Sequence, residues 1–356
     1  MTRAELAQAV NEYLWRSSGN LTCLDVDTIA RYERGVTVWP NARYRAGLRA
    51  VLGLDDDAEL GFYPTPRGRT GQSARRRLDV TVEVASLRTR LRDMQALDGR
   101  RGAAVALTGT RQIVDGLWSL ALGGPPRARR EVLALAAEAA EFTGWLHRDL
   151  AADEHAVHWY DRAMEYAQAA GDGQLQSLVL VRKSQMAYDR RDGLRVLLFA
   201  QAALDGPWRL PRPLRAEAML QVARGELMTG QTVDVRRAVD AARAAGGDED
   251  LSLREATCWI EGNNPERAAE IYGEVLSSHP ISHRDRGFFS ARQAMALAKA
   301  VEPARAVDRA RQALAIARRT GSRRTRNAVA DVVAALAARK SDDGVDVLAE
   351  ELRQVS

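Results

Sequence analysis

From Ala156 to Ala163 the chain reads Ala-Val-His-Trp-Tyr-Asp-Arg-Ala, a small residue followed one turn later by Tyr160 and then by a second small residue. On a helix these positions, i, i+4 and i+7, share one face, so a ring sits between two places where a neighbouring backbone can approach. The pattern returns along the chain. Ala268 and Tyr272 repeat it, with Val275 in third place and Pro280 closing the unit; Val196, Ala200 and Ala203, then Val235, Val239 and Ala242, then Ala306, Ala310 and Ala313 are weaker copies. Their first residues lie 40, 39, 33 and 38 positions apart. A period of that size is the mark of stacked helical hairpins, none of which can bury its apolar face alone. Each copy is preceded by a helical stretch with a small residue at the expected crossing point: Gly144, Ser184, Ala223, Ala256 and Ala294. Breakers at 123–126, 171–173, 206–207, 246–247, 263–265 and 321–322 fall between the stretches, as hairpin loops require.

Composition agrees with a helical array. The 356 residues are 46% apolar, 28% charged and only 6% aromatic, a folded chain too long for one core and biased to helix by its Ala, Leu, Arg and Glu. Cys23 and Cys258 are too few for a disulfide framework or a metal ribbon, which predicts a reducing, cytoplasmic home. No apolar run reaches the roughly 18 residues of a membrane span, and Met1 to Glu5 is polar and leads into no signal-type apolar core. No membrane role is expected.

The net charge of +5 is unevenly placed. Residues 1–62 carry seven Arg against nine acids, and residues 63–101 carry ten Arg against four. The first half of that basic stretch is rich in Pro, Gly and Ser, which predicts a linker over 62–77 between a domain at 1–61 and a repeat domain at 78–356.

Within residues 1–61, Thr2 and Glu5 form a capping box ahead of Leu6, Ala7, Val10 and Leu14 at helical spacing. Asp25 or Asp27 opens a second helix with Ile29 and Tyr32 inward, and Gly35 stops it. A third helix after Trp39-Pro40-Asn41 turns Tyr44, Leu48, Val51 and Leu52 inward. The connection is read as running from Tyr13 to Leu24, long for a tight turn.

Two resemblances follow. Residues 80–340 resemble a divergent tetratricopeptide solenoid, through the small-aromatic-small second helix with Pro after it. Thr28-Ile-Ala-Arg-Tyr-Glu-Arg-Gly35, with Trp39-Pro40 and Leu48-Arg-Ala-Val-Leu52-Gly, resembles the lambda-repressor/Cro-type helix-turn-helix regulators, the XRE family, and the combination resembles actinobacterial regulators that join this domain to such repeats. More distant is the likeness to peptide-sensing repeat regulators, whose groove asparagines have no counterpart in the first helices here. The family's usual helix ahead of Thr2 has no counterpart either. The implied fold is all-α, a short N-terminal helix-turn-helix-like domain followed by a right-handed α-solenoid. The implied partner is double-stranded DNA, met by a homodimer. Asp27, Thr28 and Arg31 would then face base edges, and Arg3 and Arg34 phosphates.

The concave face of such a stack is lined by first helices. Counting from Gly144 and Ser184, it presents Glu141, Trp145 and Arg148, then Arg182, Gln185 and Tyr188, then Arg224. Arg, aromatic and acid together suit a small-molecule or peptide effector with an apolar body and a charged end. No nucleophile, base or phosphate loop is assembled in the sequence, and in the cluster of His147, His155 and His158 the pair His155 and His158 reads as solvated, so neither an enzyme nor a cofactor or metal is expected. Two readings stay open: a ligand-responsive transcriptional regulator, and an interaction adaptor whose repeats bind protein and which never touches DNA.

Overall fold

A computed structural model describes all residues except 19–21, 38, 64–71, 247–250, 340–343 and 355–356, and the backbone alone of 72–79. Among the described residues there are seventeen helices and no strand. The chain divides into two compact units, Met1–Arg75 and Arg76–Ser356.

The first unit carries α1 (Arg3–Ser18), α2 (Val26–Glu33) and α3 (Ala42–Leu52). The capping box forms: the Glu5 amide donates to Thr2 Oγ1 at 3.2 Å and the Thr2 amide to Glu5 Oε2 at 2.7 Å. Helix α1 runs on to Ser18, past Tyr13, because no breaker stands between Leu14 and Gly19; the first six residues of the expected connection, Tyr13 to Ser18, therefore belong to the helix. What remains is fastened by Asn11, whose side chain accepts from the Leu24 amide at 2.9 Å and donates to the Leu24 carbonyl at 2.8 Å. Asp25 caps α2 by accepting from the Thr28 amide at 2.7 Å, and Asn41 caps α3 by accepting from the Tyr44 amide at 2.8 Å. Both α2 and α3 pack on α1. Gly47 is needed in α3, since a Cβ there would lie 2.9 Å from Val10. The small core is Ala7, Val10, Leu14, Leu24, Ile29, Leu48 and Phe62, with Tyr32 edge-on to Phe62. Phe62 thus belongs to this core and not to a linker; residues 64–71 of the expected linker lie outside the described residues, and helix has resumed by Gln72.

The second unit is a succession of hairpins after α4 (Gln72–Arg101) and α5 (Ala103–Gly123). They are α6 (Pro126–Asp149) with α7 (Asp153–Ala170), α8 (Gly173–Asp189) with α9 (Gly193–Asp205), α10 (Arg212–Met228) with α11 (Val235–Gly246), α12 (Ser252–Glu261) with α13 (Pro265–Ser278), α14 (His283–Lys299) with α15 (Pro303–Thr320), and α16 (Arg323–Ala338) with α17 (Val345–Arg353). Each helix packs on the next, and first helices also pack on first helices. All fifteen residues of the five triplets are buried. Gly144 is where Tyr160 meets α6: a Cβ there would be 2.7 Å from the ring, so only glycine admits the crossing.

Five of the six hairpins share one turn. Backbone φ is positive at Ala151, Arg191, Gly230, Asn263 and Val301, each five residues before the first small residue of its second helix. The left-handed conformation reverses the chain within three residues in four of these hairpins and within six between α10 and α11, and it repeats with the sequence period although only one of the five positions is glycine.

The array returns on itself. Helix α16 packs against α6, and Ser322 donates to Asp149 at 2.8 Å. Gly102, at φ +90, lies so close to the Thr320 carbonyl that a Cβ would sit 1.8 Å from its oxygen. First helices consequently surround an interior space.

Candidate functional site

That space is a cavity of about 600 Å³. Glu141, Trp145 and Arg148 reach it from α6, Arg182, Gln185 and Tyr188 from α8, and Arg224 from α10. All seven residues expected on the concave face line this one space. The opposite wall is supplied by Asp98 of α4, Arg254 and Thr257 of α12, Arg284, Asp285, Phe288, Phe289 and Arg292 of α14, and Arg324 of α16.

These groups are paired across helices, unlike a solvated groove edge. Arg182 donates to Glu141 at 2.6 Å, and Arg148, only 4% exposed, donates to Asp189 at 2.7 Å and to the Gln185 carbonyl at 3.0 Å. Arg324 reaches the same Asp189 at 3.0 Å. Burial raises the Asp189 carboxyl, but Arg148 and Arg324 outweigh it and hold the group well below the usual carboxylate range. The sharing tells on the other side: burial and the neighbouring Arg148 bring Arg324 down to about 10. Arg254 lies 2.7 Å from Glu217. Arg284 pairs with Asp98 and, at 2.8 Å, with Asp285; burial still pushes Asp98 up to about 6 against the pull of Arg284.

Three rings organise the arginines, and the nearest contact is Arg324 over Phe288 at 3.5 Å. Around Trp145 stand Arg284, Arg324, Arg148 and Arg182, with guanidinium carbons 4.6, 5.3, 5.4 and 6.0 Å from the ring centre. Around Tyr188 stand Arg292 and Arg224 at 5.1 and 5.2 Å and the outer Arg191 at 5.5 Å. The Tyr188 hydroxyl accepts from Arg292 and donates to Glu261 at 2.6 Å. Such cation–π contacts gain strength where water is excluded. The result is a polar lining, cross-linked between helices, with aromatic faces.

Some of the opposite wall was within reach of sequence reasoning. The offset that selects Arg182, two before Ser184, also selects Phe142, Arg254 and Arg292 before Gly144, Ala256 and Ala294; the offset that selects Arg224, one after Ala223, selects Thr257. Asp98, Arg284 and Arg324 carry no such signal, because they enter only through closure of the array.

In the first unit, Asp27, Arg31 and Arg34 are exposed on α2 and Thr28 is half-buried beside its cap. Arg3 is drawn to Glu33 at 2.7 Å, an exposed pair on α1 and α2. Asp57 receives both Arg45 and Arg49 at 2.8 Å, which removes two further cations from the free surface. Cys23 is exposed and Cys258 buried, so only the latter occupies a core. His147 is 8% exposed and stacks on His155 with ring centres 5.2 Å apart. Among the described residues no three His, Cys, Asp or Glu are grouped to hold a metal ion, and no helix is long and apolar enough to cross a membrane.

No family model, curated protein or solved structure matches this chain.

Proposed function

We propose that the protein is a cytoplasmic transcriptional regulator. Its first unit acts as a helix-turn-helix-like DNA-binding domain, and its second is a tetratricopeptide-like right-handed solenoid that holds a small effector. The observation that carries the reading is the convergence of first-helix side chains on one half-open cavity of about 600 Å³, the size of a small-molecule site and far larger than packing leaves by accident. An inward site of this kind favours a soluble effector over an adaptor that grips a protein surface.

On the DNA side, α2 offers Asp27, Arg31 and Arg34 outward with its amino end capped by Asp25. Arg31 is the base-reading side chain in this account, Arg34 and Arg3 meet phosphates, and Thr28 and Asp27 set the register. A homodimer supplies two such helices, since one half-site binds weakly. Gel retardation on the intergenic DNA beside the gene tests the proposal. Wild type should shift that DNA at physiological salt and Arg31→Ala should shift it roughly 5- to 150-fold less well, as loss of a base contact worth about 1–3 kcal/mol requires. Equal retardation of random DNA by both forms would contradict it and leave the adaptor reading.

A further inference from the structure

Seven guanidiniums and four carboxylates line the cavity. Once the cross-helix pairs are assigned, two guanidiniums among these described residues remain without a carboxylate. Arg224 is 6% exposed, and its hydrogen bond is a long one, 3.5 Å from Nε to the carbonyl of its own Leu220. Arg292 donates to the neutral hydroxyl of Tyr188, whose own proton is committed to Glu261. Both stand over the ring of Tyr188, at 5.2 and 5.1 Å, so they flank one spot from α10 and α14. A third, Arg324, has only a share of Asp189.

Arg224 is buried and Arg292 half-buried, and neither has a carboxylate in direct contact, their nearest acids, Glu217 and Glu261, being paired with Arg254 and Arg191. A largely desolvated cation so placed is costly, and an anion between the two would relieve that cost. The same lining holds three apolar side chains, Phe288 and Phe289 of α14 and Leu253 of α12, with Arg324 over one face of Phe288 at 3.5 Å. We infer that the effector is a dianion of the phosphomonoester type on a flat apolar body, its phosphate held between Arg224 and Arg292 and its body against the phenylalanines. The inference rests on the proposal that this cavity is the effector site, and it adds the chemical class of the effector. A phosphate offers enough acceptor oxygens to take two donors from each guanidinium fork, which a monocarboxylate does not.

The test is calorimetric titration of the purified full-length chain, without DNA, with phenyl phosphate, inorganic phosphate and phenol. Phenyl phosphate should bind, inorganic phosphate more weakly, and phenol not measurably. Arg224→Gln and Arg292→Gln should each weaken phenyl phosphate on the order of tenfold or more. Arg191→Gln, on the same ring but 59% exposed and outside the lining, should leave it unchanged. Thermal melting separates a ligand site from a structural one. Removing a cation that has no direct carboxylate partner should leave the melting temperature of the unliganded chain unchanged or raised for Arg224→Gln and Arg292→Gln, whereas Arg148→Gln, which leaves Asp189 with Arg324 alone and breaks the bond to the Gln185 carbonyl, should lower it. Phenol binding as tightly as phenyl phosphate, no binding of phenyl phosphate, or full affinity in both cavity variants would overturn the inference. Because DNA is absent from this titration, its failure leaves the DNA-binding proposal standing, and failure of the gel-retardation test leaves this one standing.

Discussion

The hydroxyl of Ser322, the N-cap of α16, donates to the carboxylate of Asp149 at the end of α6, 2.8 Å away and 173 residues earlier in the chain. One small side chain therefore finishes a helix and closes the array. Asp149 is 1% exposed, its second oxygen has no partner in the structure, and burial raises its carboxyl above the ordinary value. Ser322→Ala removes the cap and the donor together and should destabilise the chain by about 1–3 kcal/mol. Urea denaturation followed by circular dichroism reads this directly; an unchanged midpoint would mean that the closing contact contributes nothing.

The recurring turn yields a stabilising substitution. Val301 sits at φ +61 with a β-branched side chain that is 73% exposed and packs little, whereas the equivalent Gly230 adopts the same conformation without penalty. A left-handed non-glycine residue costs roughly 1–2 kcal/mol, part of which is offset by the greater chain entropy of glycine when unfolded. Val301→Gly should therefore raise the thermal midpoint modestly, and Ala300→Gly, one residue earlier at φ −75, should lower it. If both lower it, the turn is not strained.

Acid should act through His147. Burial, then the neighbouring His155, Arg111 and His158, bring its imidazole down from 6.5 to about 4. The folded form thus binds fewer protons than the unfolded form between those values, so stability is full above pH 6.5 and is lost as pH falls toward 4. Asp98, raised to about 6 by burial against the pull of Arg284, has the opposite slope, but it is common to wild type and variant. Denaturation midpoints at pH 7 and pH 4.5 should fall less for His147→Gln than for wild type, and parallel losses would assign the acid response elsewhere.

How much of this was legible depends on the distance over which each feature is decided. Ala156, Tyr160 and Ala163 announce a hairpin because packing one helix on the next needs small residues at fixed spacing, and the first-helix offsets that follow from Gly144 and Ser184 reach the cavity for the same reason. The shared turn was invisible at Ala151, Arg191, Asn263 and Val301, since none of them is the glycine that a left-handed residue normally signals. Arg324 could not be placed by any local rule: it meets Asp189 across 135 residues, a contact fixed by the summed rotation of every hairpin between them. The extent of α1 was misjudged because the eye stops at the last apolar residue, while the helix stops at the first breaker.

Arg182 is a poor probe of the sensor, because its loss strands Glu141, its partner at 2.6 Å; Arg224 and Arg292 leave no buried acid behind. The most direct measurement is the affinity for the neighbouring intergenic DNA, by fluorescence anisotropy, with and without a protein-free small-molecule extract of the source cells, for wild type and for Arg224→Gln combined with Arg292→Gln. Coupled sites typically differ by 1–3 kcal/mol, so the extract should change the wild-type dissociation constant by roughly 5- to 150-fold, while the double variant keeps the unliganded affinity throughout. An extract that shifts both proteins alike, or DNA bound no better than a scrambled sequence, would contradict the account.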